Sequence, residues 1–234
     1  MLRELKEAVW KANLDLPKYG LVILNFGNVS GVDRRRGVIA IKPSGVAYET
    51  MRAEDIVLVD FEGRVVEGRL KPSSDTPTHA ELYKAFPEIG GVVHAHSEYA
   101  TAYAQARRVI PCLGTTHADF FDGPVPITRE LTAKEVREDY EGNTGKVIVR
   151  RFSRVDPSKI PAVLVAGHGP FVWGKTPGDA VRTALALEWV AKTAMETRFL
   201  NPRATPLPAY VLKKHYERKH GPRATYGQKK GENS

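Results

Sequence analysis

Cysteine is nearly absent from this chain of 234 residues, which contains Cys112 alone. A single cysteine excludes an internal disulfide and fits a protein that works in a reducing cytosol. Long apolar runs are missing too, because no stretch approaches the 18 consecutive apolar residues of a transmembrane helix. The charged, amphipathic start of the chain is unlike a signal peptide. These absences predict a cytoplasmic protein with no membrane partner.

Acidic residues are too few to balance the basic ones, and the formal net charge is +8. Such an excess is one mark of nucleic-acid-binding proteins. The excess is uneven, since residues 213–234 hold seven Lys/Arg against two Asp/Glu and supply five of the eight net charges. Tyr216 and Tyr226 lie within this basic tail, and Tyr210 lies just before it. Composition alone therefore leaves a nucleic-acid-binding arm open.

Linkers, repeats and low-complexity tracts are also missing, which predicts one domain over residues 1–234 with the last few residues flexible. Thr-Pro pairs and a capping box mark three helix starts. Hairpins mixed with helices predict a three-layer α/β/α fold of the α/β class, around a central, largely antiparallel or mixed sheet. The expected helices begin near residues 2, 76, 98, 132 and 176, and the expected strands span 21–25, 37–42, 55–60, 64–67, 91–96, 146–152 and 162–166.

The most informative pattern present is the run Val92-Val93-His94-Ala95-His96. Alternate side chains of a strand share a face with about 6.5 Å between their Cα atoms, so these two imidazoles can tilt toward one metal ion. His168, between two glycines, is a candidate third ligand. Three protein ligands with an open position describe a catalytic rather than a structural metal site. Paired strand histidines are otherwise often structural, so the pattern needs support from its surroundings.

Short polar loops supply that support. Backbone N–H groups and hydroxyls in such loops can bind a phosphate, and a lysine adds a point charge. Each loop alone is better interpreted as an ordinary turn. Together with the histidines they predict one site. The loops contain Gly27 and Asn28, then Lys42 with Ser44 and Gly45, then Ser73 and Ser74.

Seven segments along the chain match one known family. They are GNVSGVD (27–33), IKPSGV (41–46), KPSSDTPTH (71–79), VVHAHS (92–97), GTTHADFF (114–121), GHGPFVWGK (167–175) and KHYERKHGPRATYGQ (214–228). On these segments the chain resembles the L-ribulose-5-phosphate 4-epimerases of the class II (metal-dependent) sugar-phosphate aldolase/epimerase superfamily. The histidine pattern belongs to the superfamily at large, whereas the third, fifth and last segments are epimerase-specific. The resemblance covers essentially the whole chain.

A metal site follows from this resemblance. It implies one divalent ion per subunit, zinc with manganese or cobalt as substitutes, bound by His94, His96 and His168. Asp75 stands where superfamily aldolases carry a glutamate, and it is implied to contact the metal directly or through water. An Asp just before a Thr-Pro helix start can also be an N-cap. Both interpretations of Asp75 stay open at this point.

The reaction implied by the resemblance interconverts L-ribulose 5-phosphate and D-xylulose 5-phosphate by inverting C4. C4 carries no acidic hydrogen, because the carbonyl lies two bonds away at C2. Retro-aldol cleavage of C3–C4 is feasible, since a metal ion acting as a Lewis acid stabilises the dihydroxyacetone enediolate. The glycolaldehyde phosphate fragment then rotates and is attacked on its other face. A held phosphate prevents its escape, and this is the function we assign to Gly27, Asn28, Lys42, Ser44, Gly45, Ser73 and Ser74.

Epimerisation also needs a proton-transfer group for each face of the aldehyde. By resemblance these are Asp119 and Tyr226, with His215 as a further catalytic group and Arg218 as a substrate contact. Apolar neighbours are expected to raise the pKa of Asp119. The family implies a cyclic homotetramer in which Tyr226 and His215 of one subunit serve the histidines and Asp119 of another. On this interpretation the basic tail binds a ketopentose phosphate and no nucleic acid. Composition alone would instead favour Tyr226 as a residue of a flexible tail.

Two other functions are considered. A class II aldolase acting on a fuculose- or rhamnulose-type phosphate would release its aldehyde, but Asp75 and the Tyr226 segment favour the epimerase. A non-catalytic relative such as the adducin head would be a cytoskeletal binding module, and the intact histidines argue against it. Weaker candidates for the site are His79, His117, His220 and Glu141.

Overall fold

The computed structural model describes residues 2–222 and 224–225. Its helices are α1 (Leu2–Lys18), α2 (Thr76–Ala85), α3 (Glu98–Gln105), α4 (Thr115–Ala118), α5 (Ala133–Arg151), α6 (Pro177–Leu200) and α7 (Ala209–His220), with a short 3-10 helix at Ala53–Asp55. Its strands are β1 (Asn28–Asp33), β2 (Val38–Ile41), β3 (Val57–Asp60), β4 (Val65–Glu67), β5 (Gly91–His94), β6 (Ala162–Leu164) and β7 (Pro170–Gly174).

All the described strands form one sheet in the order β4-β3-β2-β1-β5-β7-β6. Each strand pairs antiparallel with its neighbour. A single parallel bridge, between Ile127 and Leu164, lies beside β6 in the described part of the chain. The predicted α/β class with a largely antiparallel sheet is confirmed.

Helices cover both faces of the sheet, as consecutive residues of β1 show. Asn13 of α1 hydrogen-bonds to both backbone groups of Val29. The hydroxyl of Ser30 lies 2.7 Å from Nδ1 of His79 and 2.8 Å from the hydroxyl of Tyr83, both on α2. Helix α6 packs with α1 on the first face, and α5 packs with α2 on the second. Between the layers lies the apolar core. No helix in the described ranges is both long and apolar enough to cross a membrane.

A row of glycines lets α6 begin directly on the sheet. Gly31, Gly91 and Gly174 are paired across β1, β5 and β7. A Cβ on Gly91 would lie 2.5 Å from Cα of Pro177, and a Cβ on Gly174 would lie 2.6 Å from the backbone nitrogen of Ala180. No side chain fits between sheet and helix at these positions.

Two predicted strands are wrong. Residues 21–25 form a loop in which Ile23 and Leu24 are 67% and 78% exposed and Leu24 has a φ of 53°. Residues 146–152 belong to the last turns of α5 and the residue after it. The β-branched run there resembles a strand, but Val147 and Ile148 are buried on one face of a helix while the adjacent basic residues stay exposed. Elements β7, α4 and α7 were not predicted.

Candidate metal centre and substrate cavity

Three histidines converge at one end of the central strands. His94 ends β5, His96 follows two residues later, and His168 lies in the turn between β6 and β7. The Nε2 atoms of His94 and His96 are 3.0 Å apart. The ring centre of His168 lies 4.7 Å from that of His94 and 5.0 Å from that of His96. One ligand atom from each lies within 4.8 Å of the others, so the predicted trio is brought together.

The ring of His94 is fixed by its surroundings. The carbonyl oxygen of Pro170 lies 3.0 Å from Nδ1 of His94. Because a carbonyl can only accept, Nδ1 is the donor, and in the neutral imidazole the lone pair is then on Nε2. The ring of Phe171 stacks on this imidazole, with centres 4.2 Å apart. The lone pair of His94 therefore faces His96.

Burial keeps the other two imidazoles neutral. Burial, with the neighbouring His94 and His96 as further causes, lowers the pKa of His168 to about 4. Burial also lowers the pKa of His96, with His94 as a second cause. The neutral imidazole is the form that binds a metal ion.

These donors fit a divalent metal ion. Two nitrogens bound to tetrahedral zinc lie about 3.3 Å apart when each Zn–N bond is about 2.0–2.1 Å. The Nε2 atoms of His94 and His96 are 3.0 Å apart, close to this value. Two lone pairs at this distance repel each other unless a cation or proton lies between them. Imidazole ligands suit zinc without selecting it over every other divalent ion.

Asp75 takes the N-cap position of α2, but its side chain makes no capping hydrogen bond. The alternative interpretation as a helix cap is therefore wrong for this side chain. Its Oδ2 instead accepts a hydrogen bond of 2.7 Å from Nδ2 of Asn28. Burial would raise its pKa, but the neighbouring imidazoles of His94 and His79 and the hydrogen bond from Asn28 lower it overall. An ionised carboxylate thus lies beside the histidines, and the two share one cavity.

The cavity has a volume of about 470 Å³. The backbone N–H of Ser73 donates to the carbonyl oxygen of Lys42, which joins the second and third predicted loops. Gly27 has a φ of +78°, and a Cβ there would lie 2.9 Å from the carbonyl oxygen of His94, so the first loop passes directly against β5. The lining residues are Asn25, Phe26, Gly27, Asn28, Lys42, Pro43, Ser44, Gly45, Ser73, Ser74, Asp75, His94, His96, Tyr140, Glu141 and His168.

Lys42 lines this cavity and also joins its loops. Its ammonium group donates to the carbonyl oxygen of Val46 at 2.8 Å, with those of Asn25 and Pro43 at 3.4 and 3.5 Å. It also lies 4.8 Å from the ring centre of Tyr48. Burial lowers its pKa. The predicted point charge is thus held by backbone carbonyls from two of the loops.

Asp119 follows α4 and is not among the described residues that line the cavity. Its carboxylate lies 3.1 Å from Nδ1 of His215, 2.8 Å from Nη2 of Arg218 and 3.6 Å from Nζ of Lys219, all on α7. Burial would raise its pKa, but the hydrogen bonds from Arg218 and His215 and the charge of Lys219 lower it overall. The prediction that the pKa of Asp119 is raised is wrong. The residues next to Asp119 in the sequence do not indicate that α7 packs against its carboxylate.

These contacts also correct the predicted division between subunits. The sequence prediction assigns Asp119 and His215 to different chains of a tetramer, but they are hydrogen-bonded within one chain. We call Asp119, His215, Arg218 and Lys219 the Asp119 cluster. Tyr226 lies outside the described residues.

The weaker candidates have separate places. His79 is fully buried below the site, and Nε2 of His117 donates to the carbonyl oxygen of Gly123 at 2.8 Å. Glu141 lines the cavity, while Nε2 of His220 donates to the backbone oxygen of Asp119. Sequence reasoning missed Tyr140, which lines the cavity from α5.

Comparisons with known proteins match this geometry. The family model described as the class II aldolase and adducin N-terminal domain matches residues 7–195. The L-ribulose-5-phosphate 4-epimerase UlaF of Salmonella paratyphi B is 55% identical over 228 residues, which cover 97% of this chain and 100% of that protein. The protein of the same name from Salmonella typhi is also 55% identical, with the same coverage.

Solved structures agree on the fold. An L-fuculose 1-phosphate aldolase superposes with a TM-score of 0.78 at 27% identity, covering 92% of this chain and 95% of that one. The L-fuculose-1-phosphate aldolase of Thermus thermophilus gives a TM-score of 0.68 at 23% identity, covering 86% of this chain and 99% of its own.

Proposed function

Because the chain belongs to the class II aldolase and adducin N-terminal domain family, we propose that it is an L-ribulose-5-phosphate 4-epimerase. It interconverts L-ribulose 5-phosphate and D-xylulose 5-phosphate. One observation carries the proposal: three converging histidines, with an ionised Asp75 beside them, share a cavity with the Gly-, Asn- and Ser-rich loops. Full-length relatives at 55% identity bear the name of this activity.

The residues of the cavity have different functions in the reaction. His94, His96 and His168 hold a divalent ion, for which we propose zinc. When bound, the ion supplies Lewis-acid stabilisation of the negative charge that develops on the substrate oxygen at C2 as C3–C4 breaks. Asp75, ionised and fixed by Asn28, orients the hydroxyl groups next to the breaking bond. Glu141 lines the same cavity and supplies a further carboxylate.

The loops keep the cleaved aldehyde in place by its phosphate. Backbone hydrogen bonds join the second and third loops, since Ser44 donates to the carbonyl oxygen of Lys71 and Ser73 donates to that of Lys42. The serine hydroxyls of both loops are therefore held together as one unit. Lys42 adds positive charge from within these loops. With the phosphate held, the carbonyl end of the fragment can turn and present its opposite face for re-addition.

The Asp119 cluster and Tyr226 complete the site from a neighbouring subunit of a homotetramer. Two observations support this part of the proposal. Asp119 is not among the described residues lining the cavity of its own chain. Helix α6 exposes a series of large apolar side chains, among them Trp189 at 58% and Phe199 at 87%, that a second copy would cover. The location proposed for the enzyme is the cytoplasm.

An aldolase activity on a deoxy-ketose phosphate is the second candidate, since an L-fuculose 1-phosphate aldolase shares the fold at 27% identity. The two activities differ in the fate of the aldehyde, which an aldolase releases. The carboxylate at position 75, one methylene shorter than glutamate and hydrogen-bonded to Asn28, favours re-addition over release.

A coupled assay tests the proposal. L-ribulose 5-phosphate is supplied, and formation of D-xylulose 5-phosphate is measured before chelation, after chelation and after zinc is restored. We expect turnover that is lost on chelation and regained with zinc. No turnover in the zinc-loaded protein, or turnover unaffected by chelation, would contradict the proposal. Free glycolaldehyde phosphate as the main product would favour the aldolase.

A further inference from the structure

Helix α5 is interrupted beside the metal centre. Asp139 leaves helical geometry with a φ of −167° and a ψ of 85°. Its Oδ1 accepts a hydrogen bond of 3.0 Å from the backbone N–H of Gly142, as an N-cap side chain does. Asp139 thus begins a second helical segment within α5. Tyr140 and Glu141, the first residues of that segment, both line the cavity.

Side-chain hydrogen bonds fix this interruption. The hydroxyl of Thr78 on α2 donates to the carbonyl oxygen of Glu141 at 2.6 Å. Across the break, Nδ2 of Asn143 donates to the carbonyl oxygen of Glu135 at 2.9 Å. A Cβ at position 142 would collide with the carboxylate of Asp139, so a larger residue there would displace this carboxylate from its capping position. The segment that carries Tyr140 is therefore held against α2, whose first turn follows Asp75.

The phenol of Tyr140 reaches one of the histidines. Its oxygen lies 3.3 Å from Nδ1 of His168, and the ring centres are 6.0 Å apart. A histidine that ligates a metal through one nitrogen usually donates its other N–H to a fixed oxygen, which sets the orientation of the ring. Pro170 supplies that oxygen to His94.

We propose that Tyr140 is a positioning residue for His168, holding Nδ1 so that Nε2 is presented to the metal ion. The inference rests on the metal site of the proposed function but not on the identity of the sugar. When Nε2 serves as the ligand, the Nδ1 proton is donated to the Tyr140 oxygen. The hydrogen of the phenol is then free to point into the cavity, because Tyr140 is 37% exposed.

The test measures metal affinity without substrate. Tyr140→Phe keeps the ring and removes the oxygen, so we expect zinc affinity, measured by competition with a chromophoric chelator, to fall about 10- to 100-fold. Tyr103→Phe on α3, outside the cavity, is the matched control and should bind zinc as the wild type does. The visible spectrum of the cobalt-loaded protein should change in Tyr140→Phe and not in the control.

Wild-type zinc affinity together with an unchanged cobalt spectrum in Tyr140→Phe would overturn the inference. Because neither measurement uses turnover, the result is separate from the test of the proposed function. A wild-type protein that binds zinc tightly but does not epimerise L-ribulose 5-phosphate would refute the function, while the contrast between the two tyrosine variants would still decide the role of Tyr140.

Discussion

In two of the three histidines, Nδ1 lies within hydrogen-bonding distance of a protein oxygen. The carbonyl of Pro170 holds His94, and the phenol of Tyr140 holds His168. Burial keeps the pKa of His168 near 4, so the site needs no loss of a proton from this ring before it binds a cation at neutral pH. At the scale of single residues, the centre is therefore arranged for a metal before any substrate enters.

Asp75 is the residue that we expect to set the balance between epimerisation and release. Asp75→Asn keeps the shape but removes the charge, and kcat should fall about 100-fold, as expected when the reacting groups are no longer oriented. Asp75→Glu adds one methylene, and the longer side chain should raise the released fraction of glycolaldehyde phosphate. Product analysis by NMR measures both. Wild-type turnover in Asp75→Ala would contradict any role for this carboxylate, and Asp15→Asn on α1 serves as the control.

His117 should make the folded state less stable in acid. Burial lowers its pKa to about 4, against about 6.5 in the unfolded chain. Between these values the unfolded chain binds the proton first, so the contribution of His117 is fully present above pH 6.5 and decreases as the pH falls toward 4. The expected slope is about 1.4 kcal/mol per pH unit.

Urea unfolding of the chelated protein at several pH values measures this slope. His117→Gln keeps a donor for the carbonyl of Gly123 but does not titrate. Its unfolding free energy should therefore depend less on pH than that of the wild type. Equal slopes in the two proteins would show that His117 is not buried in the neutral form.

At the scale of helices and strands, the correctly predicted elements are those that depend on a local sequence pattern. The Thr-Pro pairs placed the starts of α2 and α6, and the capping box at Thr132 placed the start of α5. Strand β5 was predicted from the local run Val92-Val93-His94, although His96, which was expected in the same strand, lies two residues beyond its end. The site trio was predictable for the same reason, since two of its members lie within three residues of each other.

Elements that depend on contacts distant in sequence were not predictable. The run at 146–152 became helical because α5 packs on α2 through Gly145, where a Cβ would lie 2.6 Å from Cβ of Glu81. Helix α7 packs on the carboxylate of Asp119, which the charge of the tail did not indicate. Tyr140 lines the cavity only because α5 is interrupted at Asp139. An Asp three residues before a Gly was a sequence signal for this interruption.

The glycines of the sheet under α6 should not tolerate a side chain. Gly91→Ala would place a methyl group against the backbone of Pro177, so we expect a loss of about 2–3 kcal/mol, as for overpacking of a core. The thermal midpoint should fall by about 5–10 °C. Gly178→Ala, at the start of the same helix, has room for its Cβ and should leave the midpoint unchanged or raise it. A Gly91→Ala protein as stable as the wild type would contradict the close contact.

At the scale of the whole molecule, the described chain contains two groups of candidate site residues, and only the first lines the cavity. The histidine trio lines the cavity, and the Asp119 cluster lies between α4 and α7. We propose that a neighbouring subunit brings the two together. The exposed apolar side chains of α6, such as Trp189 and Phe199, are the surface offered for such an assembly.

Mixed assemblies test this arrangement. His94→Ala and Asp119→Asn should each be inactive, and the two are mixed after dissociation and allowed to reassemble. Shared sites should recover about a quarter of the wild-type activity, because random assembly pairs an intact histidine trio with an intact Asp119 in about one interface in four. A Tyr226→Phe chain mixed with His94→Ala should behave in the same way. No recovery in assemblies shown to be mixed would mean that each chain works alone.

We propose that this chain inverts C4 of L-ribulose 5-phosphate by breaking and remaking the C3–C4 bond at a metal held by His94, His96 and His168. Turnover of the zinc-loaded protein in deuterated water, followed by NMR, tests it most directly. We predict that D-xylulose 5-phosphate accumulates with hydrogen, not deuterium, at C4, and that the reaction stops on chelation. Solvent deuterium at C4, or no epimer at all, would contradict the account.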